Sequence, residues 1–211
     1  FVRTGRGLRP TARTAALRDP LQTSLAELGV LLAPSEFDPR TTERHVVLGT
    51  SDYGAQTSLP AVIEQLASEA PGLSIEVRNW QLSMLGEMSG SDIDLVLSTV
   101  PRQTPAQMRL RRLGSDHLVC VMRRGHPLGR RKSLSLADYL AYAHILITMG
   151  GDARGTTDRL LEPLGKRRRV ALRCPHFLPS FTIVSRTDYL LTAPRFLAER
   201  LRSELSLTLA K

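Results

Sequence analysis

The chain is poor in the features that announce the commonest chemistries. Its two cysteines, Cys120 and Cys174, give no disulfide framework in 211 residues. Cys120 sits inside the apolar run His117 to Met122 and reads as a small buried hydrophobe. No apolar run approaches the roughly 20 residues that cross a bilayer. The basic start FVRTGRGLRP leads into no apolar segment of a secretory signal. Residence in the cytoplasm, away from membranes, is therefore the expectation. Cofactor signatures are missing as well: no G-x-x-x-x-G-K-[ST] occurs, and no G-x-G-x-x-G opens a helix. The five histidines, His45, His117, His126, His144 and His176, form no i, i+4 pair, and Cys174 with His176 lacks the further ligands a zinc ion needs. Gly49-Thr50-Ser51-Asp52-Tyr53 misses a nucleophile elbow because Tyr53 stands where the second glycine is required. Asp92 and Asp94 share one side of a strand, where solvent contact explains them better than acid–base work. No enzyme, metal or cofactor is expected.

What is present is basic and apolar in alternation. Lys and Arg number 29 against 20 Asp and Glu, a net charge of +9, which favours a nucleic-acid or acidic partner. Arg3, Arg6, Arg9, Arg13 and Arg18 crowd the first eighteen residues, and Lys166-Arg167-Arg168-Arg169 forms a later cluster that reads as a solvated loop. With 42% hydrophobic residues, the chain can bury a core of one large or two small α/β lobes.

The stretch from Arg44 to Val77 organises the rest. His45 to Gly49 reads as a strand ending in the small polar loop Gly49 to Gly54. A helix is expected from Ser58, with Pro60 in its first turn. Leu59, Val62, Ile63, Leu66, Ala67 and Ala70 give it one apolar face. Pro71-Gly72 ends it, and Leu73 to Val77 alternates as a strand. A strand feeding a helix through small residues places a ligand site at the strand's carboxyl edge, here near Ser51, Asp52 and Tyr53. Asp92 to Leu97 is read as a further strand whose end offers Ser98 and Thr99. Trp80 to Gly90 is helix-like.

Before this unit, Phe1 to Pro10 reads as two extended pieces around a basic tip, a hairpin or wing whose arginines reach a phosphate backbone, or else a basic tail. Leu17, Leu21, Leu25, Leu28 and Leu32 repeat at helical spacing, with a kink or break expected at Pro20. Such a stripe needs a dimer partner or a face of its own domain. Beyond Pro101 to Pro105, a hinge, the pattern restarts. Strands are expected at Arg109 to Leu113, His117 to Met122, His144 to Thr148, Val170 to Arg173 and Tyr189 to Ala193. Helices are expected from Leu136, capped by Ser135, from Thr156 to Leu164, over Ser180 to Ser185, and from Pro194 to about Leu201. Pro175 to Pro179 reads as a loop, and Leu205 to Lys211 fades out.

These residues together resemble a known family. Phe1-Val2-Arg3 with Arg6-Gly7-Leu8-Arg9-Pro10-Thr11 is similar to the wing end of a LysR-type transcriptional regulator, and the leucine helix to that family's linker helix. The Ser51-Asp52-Tyr53 loop, Gly125-His126-Pro127-Leu128 before Leu134-Ser135-Leu136-Ala137-Asp138, and Thr187-Asp188-Tyr189-Leu190-Leu191-Thr192-Ala193-Pro194 add to the likeness. Phe37-Asp38-Pro39 and the Ser-Asp-Tyr loop resemble members that answer aromatic inducers. The resemblance implies an α/β effector domain of periplasmic-binding-protein-like (type 2) fold, two lobes with two crossovers, preceded by a linker helix. It implies a wing remnant at 1–11, a linker and dimerisation helix with its loop at 12–37, an incomplete lobe I at 44–100, lobe II at 101–204 and the start of a return crossover at 205–211. On this reading the chain is truncated at both ends. Family effector contacts carry over to Ser51, Asp52, Tyr53, Thr99, Thr148 and Phe177, backbone DNA contacts to Arg3, Arg6 and Arg9, and oligomer contacts to the leucine stripe. The implied partners are DNA, a small effector and further copies of the chain in a homodimer or homotetramer. A solute-binding receptor of the same architecture is the alternative, against which the leucine helix argues.

Overall fold

The computed structural model describes residues 1–4, 7–32, 37–81, 84–85, 91–99, 108–131, 133–149 and 154–210. It opens with an antiparallel hairpin, β1 (Val2–Thr4) and β2 (Gly7–Arg9), in which Arg3 lies opposite Leu8. Arg6, at its tip, lies outside the described residues. Helix α1 (Ala12–Leu32) follows; of the kink or break expected at Pro20, the break does not occur. Ala16, whose carbonyl loses its N–H partner to the proline ring, is an exposed residue. Thr11 accepts the Thr14 N–H at 3.2 Å and so caps the first turn.

The first lobe is a three-stranded parallel sheet in the order β4-β3-β5. Its strands are β3 (Arg44–Thr50), β4 (Leu73–Asn79) and β5 (Leu95–Leu97). Between β3 and β4 the chain forms two helices rather than one: α2 (Asp52–Thr57), with Ser51 as N-cap, and α3 (Leu59–Glu69), with Pro60 in its first turn. The expected loop at Gly49 to Gly54 therefore closes two residues after Thr50. Gly54 lets α2 sit this close, since a Cβ there would lie 2.1 Å from Thr50 Oγ1 and 3.1 Å from Leu97 Cδ2. The strand expected from Asp92 begins only at Leu95, because Asp94 ties both its N–H and its carboxylate to the backbone of Val47, at 3.0 and 2.8 Å. Trp80 is buried; much of the helix expected after it lies outside the described residues.

The second lobe carries a five-stranded mixed sheet in the order β10-β6-β9-β7-β8. Its strands are β6 (Leu118–Arg123), β7 (Ala143–Ile147), β8 (Arg169–Cys174), β9 (Leu190–Pro194) and β10 (Leu207–Ala210). Its helices are α4 (Leu136–Ala141), α5 (Thr156–Leu161), α6 (Phe177–Val184) and α7 (Arg195–Leu201). Ser135 and Asp138 form a reciprocal capping box on α4. Three expectations are corrected here. Arg109 to Leu113 is no strand: its alternating residues are exposed and face no partner strand among the described residues. Helix α6 starts at Phe177, inside the expected loop, because its first N–H groups find an acceptor in the other lobe (below). Leu205 to Lys211 does not fade out, since Leu207 to Ala210 pair antiparallel with Arg123 to Cys120 and close the sheet's edge. The core lies in this lobe, where Val121, Ile145, Phe181, Val184, Leu191 and Leu197 are among the fully enclosed side chains.

Candidate functional site: a cavity between the lobes

Helix α2 of the first lobe rests on α6 and α7 of the second, and two side chains fasten the contact. Asp52 Oδ2 accepts the N–H groups of Phe177 and Leu178, at 2.6 and 3.1 Å. A carboxylate from one lobe thus satisfies the free donors and positive end of a helix in the other. The Tyr53 hydroxyl donates to Asp116 Oδ2 at 3.2 Å, and the same oxygen accepts the Phe196 N–H at 3.0 Å. Burial, reinforced by the nearby Asp116 charge, pushes the Tyr53 phenol above its ordinary value.

Behind this clasp lies a cavity of about 360 Å³, inside the range of roughly 300–1,000 Å³ that suits small ligands. Tyr53 and Phe177 stand on its apolar side with ring centroids 5.6 Å apart and planes inclined at 49°. Ile145, Ile147 and Met149 continue that wall from the carboxyl end of β7. Met149 holds a left-handed backbone at φ 44°, a conformation costing roughly 1–3 kcal/mol for a residue with a side chain. Hydroxyls line it as well: Ser51 and Ser58 from the first lobe, Ser98 and Thr99 after β5, Thr156 and Thr157 on α5, and Thr192 on β9.

Under the hydroxyls runs a buried ionic network. Arg168, 2% exposed, donates from Nε and Nη2 to the two oxygens of Asp158 at 2.7 and 3.0 Å. Its Nη1 donates to the Tyr139 hydroxyl at 3.1 Å. Asp158 also accepts the Gly155 N–H at 2.8 Å. Burial works against the Arg168 charge, but the bonds to Asp158 outweigh it and keep the guanidinium protonated; those same bonds hold the Asp158 carboxyl below its usual range. His144, fully enclosed, is pushed down to about 4 by burial, so it is neutral at pH 7. Burial likewise pushes the Cys120 thiol up to about 12, which makes it unreactive.

Of the residues named from sequence, Ser51, Tyr53, Thr99 and Phe177 line this cavity. Asp52 and Thr148 do not. Asp52 is turned away onto α6, and Thr148 spends its N–H on the Cys174 carbonyl at 3.0 Å between the lining residues Ile147 and Met149. Arg3 and Arg9 lie in the terminal hairpin, remote in sequence from the cavity. Leu17, Leu21, Leu25 and Leu28 are exposed on α1, and Leu32 is its last residue. Sequence reasoning missed Asp116, Tyr139, Asp158, Arg168 and Thr192. Arg168 hid within a run of basic residues, and only burial separates it from its neighbours.

A cavity at strand ends between two α/β lobes is the arrangement of an effector domain, and the family comparison agrees with it. The model of the LysR substrate binding domain matches residues 39–210. The chain belongs to this family. As a LysR substrate-binding domain it has the type 2 periplasmic-binding-protein-like fold. It is 33% identical over 201 residues to the HTH-type transcriptional activator NahR of Pseudomonas putida, covering 94% of this chain and 66% of that protein. To the HTH-type transcriptional activator NagR of a Ralstonia species it is 30% identical over 210 residues, covering 99% of this chain and 69% of the relative. It thus spans about two thirds of the length of these activators. The crystal structure of a probable transcriptional regulator from Pseudomonas aeruginosa superposes with a TM-score of 0.72 at 31% identity, over 100% of this chain and 71% of that one. The regulatory domain of MexT, a transcriptional activator of the same organism, gives 0.66 at 26% identity, over 81% and 82%. These relatives are regulators, not enzymes. Among the described residues no helix is long and apolar enough to cross a membrane.

Proposed function

We propose that this chain is the effector-sensing and oligomerisation part of a cytoplasmic, DNA-binding transcriptional regulator that responds to a small aromatic or carboxylate-bearing molecule held between its lobes. The observation that carries this reading is the cavity of about 360 Å³ with one wall from each lobe. A ligand that touches both walls stabilises one lobe geometry over others, and that differential affinity is what shifts a regulator's population. The inclined Tyr53 and Phe177 rings suit a flat ring, and the lining hydroxyls suit its polar substituent. Arg3, Arg6 and Arg9 then contact phosphates in the complete regulator, which sets position on DNA rather than sequence. The leucine stripe of α1 joins copies of the chain. No cofactor takes part.

Calorimetric titration with benzoate and other small aromatic acids tests the reading. Binding of at least one acid is expected, weakened about 2- to 12-fold in Ser51→Ala and Thr99→Ala, the loss of one hydrogen bond each, with the thermal midpoint kept. Unchanged affinity in both variants removes these hydroxyls from the site. Absence of binding by every aromatic acid removes the ligand class.

A further inference from the structure

The hydroxyl side of the cavity has a direction set by protons. Arg168 can only donate, so its bond to the Tyr139 hydroxyl at 3.1 Å occupies a lone pair of that oxygen. The phenol has a single proton to give, and two hydroxyls stand beside it: Thr192 Oγ1 at 2.6 Å and that of Thr157. Whichever threonine receives the proton keeps its own. Thr192 Oγ1 makes no other hydrogen bond among the described residues, and both threonines line the cavity. At least one O–H donor, backed by a buried guanidinium, therefore faces the ligand space. Arg168 itself reaches the cavity lining, but Asp158 balances its charge, so the floor presents polarised hydroxyls beside a paired cation. Such a floor favours an anionic oxygen, because a hydrogen bond to a charged acceptor is about twice as strong as one between neutral groups.

We propose that Thr192, with Thr157, is the carboxylate-recognising contact of this cavity, and that Tyr139 and Arg168 are positioning residues that turn the threonine proton toward the ligand. The proposal rests on the effector reading above and deepens it: it assigns the ligand's acidic group to the second lobe and leaves its ring to Tyr53 and Phe177.

The test is calorimetry of the 211-residue chain with two probes of nearly equal shape, benzoate and benzamide. The wild-type chain is expected to prefer benzoate by about tenfold, the difference between a charged and a neutral acceptor. Thr192→Val, which keeps volume and branching, weakens benzoate more than benzamide and brings the two affinities within about twofold of each other; Thr192→Ser restores the preference. Tyr139→Phe, which removes the hydroxyl 2.6 Å from Thr192 Oγ1, lowers the preference as well. Equal binding of both probes by the wild-type chain overturns the proposal and leaves the effector reading standing. A parallel loss of both probes in Thr192→Val, at an unchanged melting temperature, also overturns it, since a merely structural residue behaves so. If the wild-type chain binds neither probe, this proposal is overturned, while the aromatic-acid reading falls only if every other acid of the wider titration also fails to bind. Should Tyr139→Phe not fold, the valine and serine variants decide alone.

Discussion

Helices α3 and α6 carry comparable apolar stripes and meet different fates. In α6, Phe177, Ser180, Phe181 and Val184 are buried against the second sheet, whereas α3 buries no residue at all and leaves Val62 and Ile63 45% and 40% exposed. The second lobe is a closed core under five strands. The first lobe is three strands whose enclosed side chains, among the described residues, reduce to Val47, Thr50, Ala70 and Trp80. Sheet size explains the contrast: a helix needs neighbours on both sides to enclose its stripe, and three strands offer little surface.

The sharpest way to break this contrast is to remove one enclosed ring. Phe181→Ala, at a site with no exposure, is expected to cost about 3–5 kcal/mol, whereas Ile63→Ala in α3 costs about 1 kcal/mol or less. Urea denaturation of the two variants side by side measures the ratio, and equal losses would erase the distinction between the lobes.

Acid sharpens the same contrast. His144 is neutral in the fold down to about pH 4, against an unfolded value near 6.5. Between those values the unfolded chain binds the extra proton. Its contribution is thus complete above pH 6.5 and declines as pH falls toward 4. His144→Gln should flatten that slope in unfolding free energy measured across the window. The Glu76, Arg78 and Asp92 cluster of the first lobe is exposed and is expected to add little, since water screens such pairs.

Between the lobes, Asp52→Ala removes the acceptor of two α6 N–H groups and should cost about 1–2 kcal/mol, the range of a lost helix cap. Hydrogen exchange at the Phe177 and Leu178 amides is the direct readout; protection that survives the substitution would mean another group caps α6. The smallest effect on the protomer is expected on α1. Leu21 and Leu25, 56% and 65% exposed, can both become Glu within about 0.5 kcal/mol of protomer stability. Their oligomer should dissociate, which sedimentation would show as a lower mass. An unchanged mass places the dimer contact elsewhere.

Elements set by neighbours a few residues away were legible from the chain. The stripe of α3, the Ser135 cap of α4 and the β-branched run of β3 each lie within one or two turns of sequence, and the hairpin of β1 and β2 spans eight residues from Val2 to Arg9. What failed did so where a distant partner intervenes. Phe177 starts a helix because Asp52, in the other lobe, meets its N–H. Arg109 to Leu113 alternates like a strand but lacks a neighbouring strand among the described residues, and a ladder needs two sides. Leu207 to Ala210, weak by itself, is a strand because β6 offers a free edge. The candidate site divides in the same manner. Ser51, Tyr53 and Thr99 sit at strand ends, which periodicity locates, while Thr148 falls one position out of line between two cavity residues.

The sequence by itself determined most of the strands and helices, the two α/β units and the family, because hydrophobic period, turn residues and short motifs are properties of adjacent positions. Tertiary structure alone decided which arginine of Lys166-Arg167-Arg168-Arg169 is sealed against Asp158, which aspartate ties the lobes together and which threonine meets the Tyr139 hydroxyl. Those assignments depend on burial and on partners far apart in the chain, and one side chain is a solvated charge or a buried half of an ion pair according to what folds over it.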